Sequence, residues 1–310
     1  MGVTSFGSEG LNTTSGDAVL RVRAARRYGA VSPLRYPGGK ASLAGFFADV
    51  IEALQLIEPT YVEPYAGGAG AGVALLLEDR VRKLVINDFD PAVHSFWVAA
   101  TEHSDNLCAL VHDTALTVEE WRRQKAIYRA EDDSDPLTLG FAFFYLNRTN
   151  RSGILNAGPI GGVNQNGNYK IDARFNRVEL VRRLTAIGER ADRIAVSNKD
   201  GRSIVNEYAG DPNAFLYIDP PYLAAGSSLY LNAFTYRDHA DLAATVRAYP
   251  AGNWVVTYDD APYIHRLYEG EAVHSYALYY SAHRASRSTE LAVLSPAVAP
   301  LVAMDQPRAV

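Results

Sequence analysis

The sequence predicts an α/β protein: a Rossmann-like, doubly wound sheet interrupted by an inserted region of helices and loops. Three observations carry this. A strand pattern at Thr60 to Tyr65 runs into a glycine-rich turn, Ala66-Gly67-Gly68-Ala69-Gly70-Ala71-Gly72, and then a helix through Leu77. Strand, glycine turn and helix form the nucleotide-binding opening unit of such sheets. Strand and helix patterns alternate again from Arg193 to Thr257, whereas from about Asp105 to Arg190 the alternation stops.

The composition is that of an ordinary globular chain. Its 310 residues, 48% hydrophobic and 21% charged, suffice for a large core, and the length suggests about two domains. A single cysteine, Cys108, excludes an intramolecular disulfide, and the seven histidines are scattered without zinc spacing. This points to a reducing, cytoplasmic setting and to no metal. No apolar run is long enough to span a membrane, and Met1 to Gly16 lacks the apolar core of a signal peptide. A formal net charge of −5 argues against bulk attraction to nucleic acid and leaves local patches to provide it.

Residues 1 to 30, rich in Gly, Ser and Thr and then basic from Arg21 to Arg27, read as a flexible arm. Next comes Pro33-Leu34-Arg35-Tyr36-Pro37-Gly38-Gly39-Lys40. The glycine pair opens a helix with Leu43, Phe46, Phe47, Val50, Ile51 and Leu54 on one face, which leaves backbone N–H groups free for an anion. Lys40 in the first turn opposes the helix dipole unless it holds a negative group. The pattern is not a P-loop. After the glycine turn, a strand at Lys83 to Ile86 ends in Asn87-Asp88-Phe89-Asp90. Asp88 lies about twenty residues beyond the glycines, where an acid takes ribose hydroxyls. The glycine spacing does not fit GxGxxG, which disfavours a nicotinamide cofactor and an oxidoreductase. Pro91 to Thr101 reads as a helix with Val93, Phe96, Trp97 and Ala100 toward the core.

In the interrupted region, Trp121 to Ala130 and Leu137 to Leu146 read as helices, and Asn147 to Lys170 as a long loop rich in Asn and Gly. The charge changes sign here. Residues 101–140 hold four Lys/Arg against nine Asp/Glu, and residues 141–200 hold ten against five. A basic, amide-rich loop suits nucleic-acid contacts. Alternation then resumes: a strand at Arg193 to Ser197 before Asn198-Lys199-Asp200, a helix at Ser203 to Tyr208, and a strand at Ala214 to Ile218. A helix at Asp238 to Ala248 and a strand at Asn253 to Thr257 follow. Ala272 to Tyr280 and Glu290 to Leu294 form a terminal β-pair around a polar loop, His283 to Ser288. The Pro/Ala-rich end, 296–310, reads as a tail.

The strand at Ala214 to Ile218 ends at once in Asp219-Pro220-Pro221-Tyr222. Two residues without an N–H can join neither a helix interior nor a sheet ladder. Pro221 holds Pro220 extended and so aims its carbonyl. The result is a rigid lip at the carboxyl end of a strand, where open parallel sheets bind ligands. It carries a carboxylate, a carbonyl and an aromatic face.

These pieces, in this order, resemble the adenine-specific DNA methyltransferases of the Dam-like class. The matching stretches are LRYPGGK, YVEPYAGGAGAG, INDFDPAV, YLNRTNRSGI, SNKD, YIDPPY and VVTYDD, from about residue 33 to 295. The resemblance implies a Rossmann-like methyltransferase domain (31–104 and 191–295), S-adenosylmethionine (AdoMet) as donor, and a target-recognition insertion at 105–190. It also implies double-stranded DNA as the partner, and leaves a partner restriction nuclease open. By the resemblance, Tyr36 and Lys40 belong to the opening cofactor motif, and Glu63 with Gly67, Gly68 and Gly70 wraps the methionine part. Asp88, with Phe89 beside it, takes the ribose hydroxyls, and Asp200 lies beside the cofactor's adenine. Asp219, Pro220 and Tyr222 form the catalytic lip, with Asp219 also touching the cofactor. Arg148, Asn150 and Arg151 are the expected DNA contacts. The chain departs from its relatives at Tyr65, where Phe is common, and at Arg151-Ser152, where an aromatic and Asn are common. An Asp at the head of the lip favours adenine over cytosine-N4 (Ser) or protein glutamine (Asn). An RNA adenine target and a non-catalytic nucleic-acid-binding protein are the alternatives.

Overall fold

A computed structural model of the chain describes residues 31–35, 40–222, 234–280 and 286–304. The arm at 1–30, Tyr36 and His283 to Ala285 of the expected polar loop therefore lie outside the described residues, whereas Ser286 to Ser288 belong to the last strand rather than to a loop. Among the described residues, seven strands form one sheet in the order β3-β2-β1-β4-β5-β7-β6. These are β1 (Thr60–Glu63), β2 (Lys83–Asn87), β3 (Ile194–Ser197), β4 (Ala214–Ile218), β5 (Asn253–Asp259), β6 (Ala272–Tyr280) and β7 (Ser286–Leu294). The first five are mutually parallel, whereas β7 runs antiparallel to both β5 and β6. Strand order reverses between β1 and β4, which places the ligand crevice beyond their carboxyl ends.

Both sheet faces are covered, so the central strands are apolar on both sides. Tyr61, Leu84, Ile86, Phe215 and Tyr217 face one core, and Val62, Val85, Leu216 and Ile218 face the other. The first core receives α1 (Ala44–Ala53), α2 (Gly70–Leu77), α3 (Pro91–Glu102), α4 (Ser104–Asp113), α5 (Val118–Ala130), α6 (Pro136–Thr149) and α7 (Arg177–Gly188). The second receives α8 (Gly201–Tyr208), α9 (Tyr236–Arg247) and α10 (Pro262–Leu267). Asp90, Asp135, Asn176 and Asp200 accept backbone N–H bonds at the starts of α3, α6, α7 and α8.

The interrupted region shares the first core. At Gly140 in α6 an added Cβ would meet the Ser95 carbonyl and the Phe96 backbone at 2.5–2.7 Å, so α3 and α6 touch backbone to backbone. Two of its helices, α4 and α7, are additional to those read from the sequence. The expected tail is corrected in part: Ala299–Met304 form a short helix, α11, and Val298 and Val302 are buried in the first core. Among the described residues, no helix is long and apolar enough to cross a membrane.

Candidate active site

The acids singled out in the sequence stand at or just past the carboxyl ends of four neighbouring strands: Asp200 after β3, Asp88 after β2, Glu63 at the end of β1 and Asp219 after β4. Asn87, fully buried, ties three of these ends together. Its Nδ2 donates to the carbonyls of Pro64 (2.8 Å) and Lys199 (2.9 Å), and its Oδ1 accepts from Ser197 Oγ and the Lys199 N–H.

The glycine turn between β1 and α2 is held from three sides. Gly67 adopts φ 45° and Ala69 φ 42°, a left-handed conformation for which glycine is best suited. Trp97 Nε1 donates to the Gly67 carbonyl at 2.9 Å, and the Gly67 N–H donates to Asp88 Oδ2 at 2.8 Å. Asp88 Oδ1 accepts from the Asp90 N–H. Glu63, 3% exposed, accepts from the Gly72 N–H at 2.8 Å. Burial dominates both acids. It pushes Glu63 up to about 8 against the opposing Gly72 bond, and Asp88 up to about 7 against its two backbone bonds. Among the described residues neither is paired with Lys or Arg. Two desolvated acids without a cation fit a ligand that brings positive charge and hydroxyl donors. Phe89, which follows Asp88 in the chain, is 55% exposed.

At the lip, Asp219 Oδ1 accepts from Thr257 Oγ1 at 2.6 Å and lies 3.2 Å from the Tyr222 hydroxyl. Thr257 has one hydrogen and gives it to Asp219, so the Tyr217 hydroxyl, 3.0 Å from Thr257 Oγ1, is the donor in that pair. Asp219 Oδ2 makes no hydrogen bond among the described residues, and Lys40 Nζ stands 3.9 Å from it. Burial raises the Asp219 carboxyl above its ordinary range; Lys40 and the Thr257 bond oppose that rise, and Glu290 adds to it. Lys40 is buried in a single 3-10 turn, Lys40–Leu43, ahead of α1. The negative group it holds is Glu290, at 2.7 Å. Its ammonium thus sits at the lip rather than on the glycine turn. Tyr222 is drawn into the same cluster, with Lys40 Nζ donating to its hydroxyl and lying 5.0 Å from its ring centre. One face of the ring expected to stack is therefore turned to Lys40.

The D12 class N6 adenine-specific DNA methyltransferase model matches residues 36–282. The chain belongs to that family. The type II methyltransferase M.MjaIII of Methanocaldococcus jannaschii is 24% identical over 221 residues, covering 67% of this chain and 74% of that one. Among solved structures, the rRNA methyltransferase aviRa from Streptomyces viridochromogenes is similar over 90% of this chain and 91% of that one, at 16% identity and a TM-score of 0.35.

As a D12 methyltransferase the chain uses AdoMet as methyl donor and acts on adenine in DNA. The two unpaired acids and the buried glycines of the β1–α2 turn are chemically suited to the donor's ammonium, sulfonium and ribose hydroxyls. Asp200, further along the strand ends, is chelated by Arg202 (Nη2 to Oδ2 2.7 Å, Nε to Oδ1 3.1 Å), which holds its carboxyl below the usual range. No sequence motif flagged Arg202.

The three expected DNA contacts separate. Arg151 is exposed. Arg148 is partly buried: Nη1 reaches the Pro33 carbonyl at 3.4 Å, and Nε is buried without a hydrogen-bond partner among the described residues. Burial, then Arg35, Arg183 and Arg174 nearby, pull it down to about 10, so it stays charged at neutral pH. The expectation for Asn150 is corrected. It is fully buried, accepts from Trp121 Nε1 at 2.6 Å, and donates to the Ile154 and Leu155 carbonyls. Its amide braces the turn after α6 and presents nothing to a base edge.

Proposed function

We propose that this methyltransferase transfers a methyl group to N6 of an adenine flipped out of double-stranded DNA, with Asp219 and the Pro220 carbonyl as acceptors for the amino group. The observation that carries the reading is the division of labour on Asp219. Oδ1 is occupied by Thr257 and approached by Tyr222, while Oδ2 accepts no hydrogen bond from any of the described residues. An adenine amino nitrogen is a poor nucleophile because its lone pair is delocalised into the ring. Acceptors on its hydrogens favour a pyramidal nitrogen and stabilise the positive charge that develops there, an electrostatic and positional effect. AdoMet, when bound, supplies the electrophilic methyl group. Glu63, Gly67, Gly68, Gly70, Asp88, Phe89 and Asp200 serve as its binding residues in this reading.

Flipping the base costs a few kcal/mol. Stacking on the Tyr222 ring returns about 1–3 kcal/mol. Residues 105–190 act as the recognition region, with exposed Arg151 reading a base and partly buried Arg148 serving a phosphate. Incubating the protein with labelled AdoMet and unmethylated duplex DNA, then resolving the nucleosides, tests the reading. Label in N6-methyladenine is expected; label in N4-methylcytosine, or transfer to RNA but not to the duplex, would overturn it.

A further inference from the structure

The terminal β-pair brings two side chains to the lip that no motif in the sequence marks. Glu290 of β7 is 2% exposed, and one oxygen, Oε2, accepts from Lys40 Nζ at 2.7 Å and from the Tyr276 hydroxyl of β6 at 2.6 Å, with the Tyr222 hydroxyl at 3.1 Å. Tyr276 and Glu290 are direct cross-strand partners. A buried ion pair repays its desolvation only when further hydrogen bonds satisfy both ions. Here the two tyrosine hydroxyls do so.

Two distances decide what the pair does. Lys40 Nζ is 2.7 Å from Glu290 and 3.9 Å from Asp219, so Glu290 is its direct partner. Asp219 feels the ammonium without spending a lone pair on it. We propose that Glu290, held by Tyr276, is a positioning residue for methyl transfer: it keeps the Lys40 ammonium one step back from Asp219 and shares the Tyr222 hydroxyl with Asp219 Oδ1, so that Asp219 Oδ2 stays open to the target amino group. The inference rests on Asp219 being the amino acceptor. Without the Glu290 carboxylate, the second acid in ion-pair range of Lys40 is Asp219 itself, and the ammonium would close on Oδ2 and compete with substrate.

The pH behaviour separates positioning from packing. Among the described residues, the titratable groups facing Asp219 are Lys40 from the first turn, Glu290 from β7, and Glu63 and Tyr61 from β1. Tyr217 and Tyr222 flank it on its own segment, Tyr276 reaches the cluster from β6, and Asp259 of β5 lies opposite Glu290 in register. Removing the Glu290 charge takes away an influence that raises the Asp219 carboxyl and lets the ammonium approach. Both effects favour ionised Asp219 and move the acid limb of kcat to lower pH. Removing Lys40 acts the other way.

The experiment measures kcat and KM for AdoMet on unmethylated genomic DNA, from about pH 5 to about pH 9, for Glu290→Gln, Tyr276→Phe and Lys40→Met. Each variant is first shown to be folded by AdoMet titration and thermal melting. Glu290→Gln is expected to lose roughly 10–100-fold in kcat, with a nearly unchanged KM for AdoMet and an acid limb displaced downward. Lys40→Met displaces the limb upward, and Tyr276→Phe lowers kcat several-fold. A Glu290→Gln enzyme with wild-type kcat, or with reduced kcat and an unmoved limb, overturns the inference. If Glu290→Gln does not fold, a wild-type kcat in Tyr276→Phe overturns it and a several-fold loss at unchanged KM supports it. Asp219→Ala, run alongside, is separate: near-normal turnover there overturns the assignment of Asp219 whatever Glu290 does.

Discussion

Gly72→Ala places a single methyl group where the cofactor turn has no room. The added Cβ would lie 2.5 Å from Leu84 Cδ1, 2.9 Å from Glu63 Oε1 and 3.2 Å from Tyr61 Cε1. All three neighbours are buried: Leu84 and Tyr61 are 0% exposed and Glu63 3%. The Leu84 methyl can turn aside, but the Glu63 carboxyl is held by the Gly72 N–H itself at 2.8 Å, so the methyl pushes away the group that this N–H bonds. Overpacking of this kind costs about 1–3 kcal/mol. Weakening the hydrogen bond adds about 0.5–1.5 kcal/mol. Against these stands the helix-propensity gain of Gly→Ala, about 1 kcal/mol. The balance is a loss of about 1–3 kcal/mol, or several degrees in Tm at roughly 2–4 °C per kcal/mol for a chain of this size. Because Glu63 moves, AdoMet affinity should fall as well. Differential scanning fluorimetry with calorimetric AdoMet titration reads both. A Gly72→Ala protein as stable as the parent, with unchanged AdoMet affinity, would refute the claim that this N–H sets Glu63 against the turn.

Thr257→Val keeps the side-chain shape but removes the hydrogen bond that favours ionised Asp219. The Asp219 carboxyl therefore rises, the acid limb of kcat moves to higher pH, and the orphaned Tyr217 hydroxyl costs about 1–3 kcal/mol of stability; an unmoved limb in a rate–pH profile would contradict this. Asp88→Ala should weaken AdoMet binding by about 1.5–3 kcal/mol for each ribose hydroxyl bond lost and leave DNA affinity nearly intact, as calorimetry and fluorescence anisotropy would report. Asn150→Ala should cost upwards of about 2 kcal/mol, because buried Trp121 Nε1 and the partly buried Ile154 and Leu155 carbonyls lose their partner, with no change in sequence preference. Arg151→Ala should stay within about 0.5 kcal/mol in stability and relax one position of the site, read by methylation profiling on a random duplex library.

The acids at the strand ends were legible because each follows a short apolar run and a turn signal, a local pattern that survives into the fold at Asp88, Asp200 and Asp219. Lys40 was legible only as a cation awaiting a negative group. Its partner is 250 positions away and arrives through antiparallel pairing of β7 with β5 and β6, which no local pattern encodes. The available signal was an acid heading an otherwise apolar strand, Glu290-Leu291-Ala292-Val293-Leu294. Helix α7 was readable from Leu180, Leu184 and Ile187 at i, i+4, i+7 and from the Asn176–Glu179 start, whereas α4 offers only Leu107 and Val111 as buried positions. Composition cast Asn150 as a base reader because a buried, fully bonded amide and an exposed one look alike in sequence. Val298 and Val302 show why the Pro/Ala-rich end is more than a tail: two apolar residues four apart suffice for one helical turn on a core.

The most direct measurement of the central claim is methyl transfer by Asp219→Ala under saturating AdoMet and duplex DNA, with binding of both ligands measured on the same preparation. The acceptor role predicts a fall in kcat of at least about 10²–10³-fold, the scale of one lost electrostatic contact at a reacting centre, with DNA binding largely retained. Turnover within a few-fold of the parent, at undiminished binding, would contradict it and remove Asp219 from the chemistry.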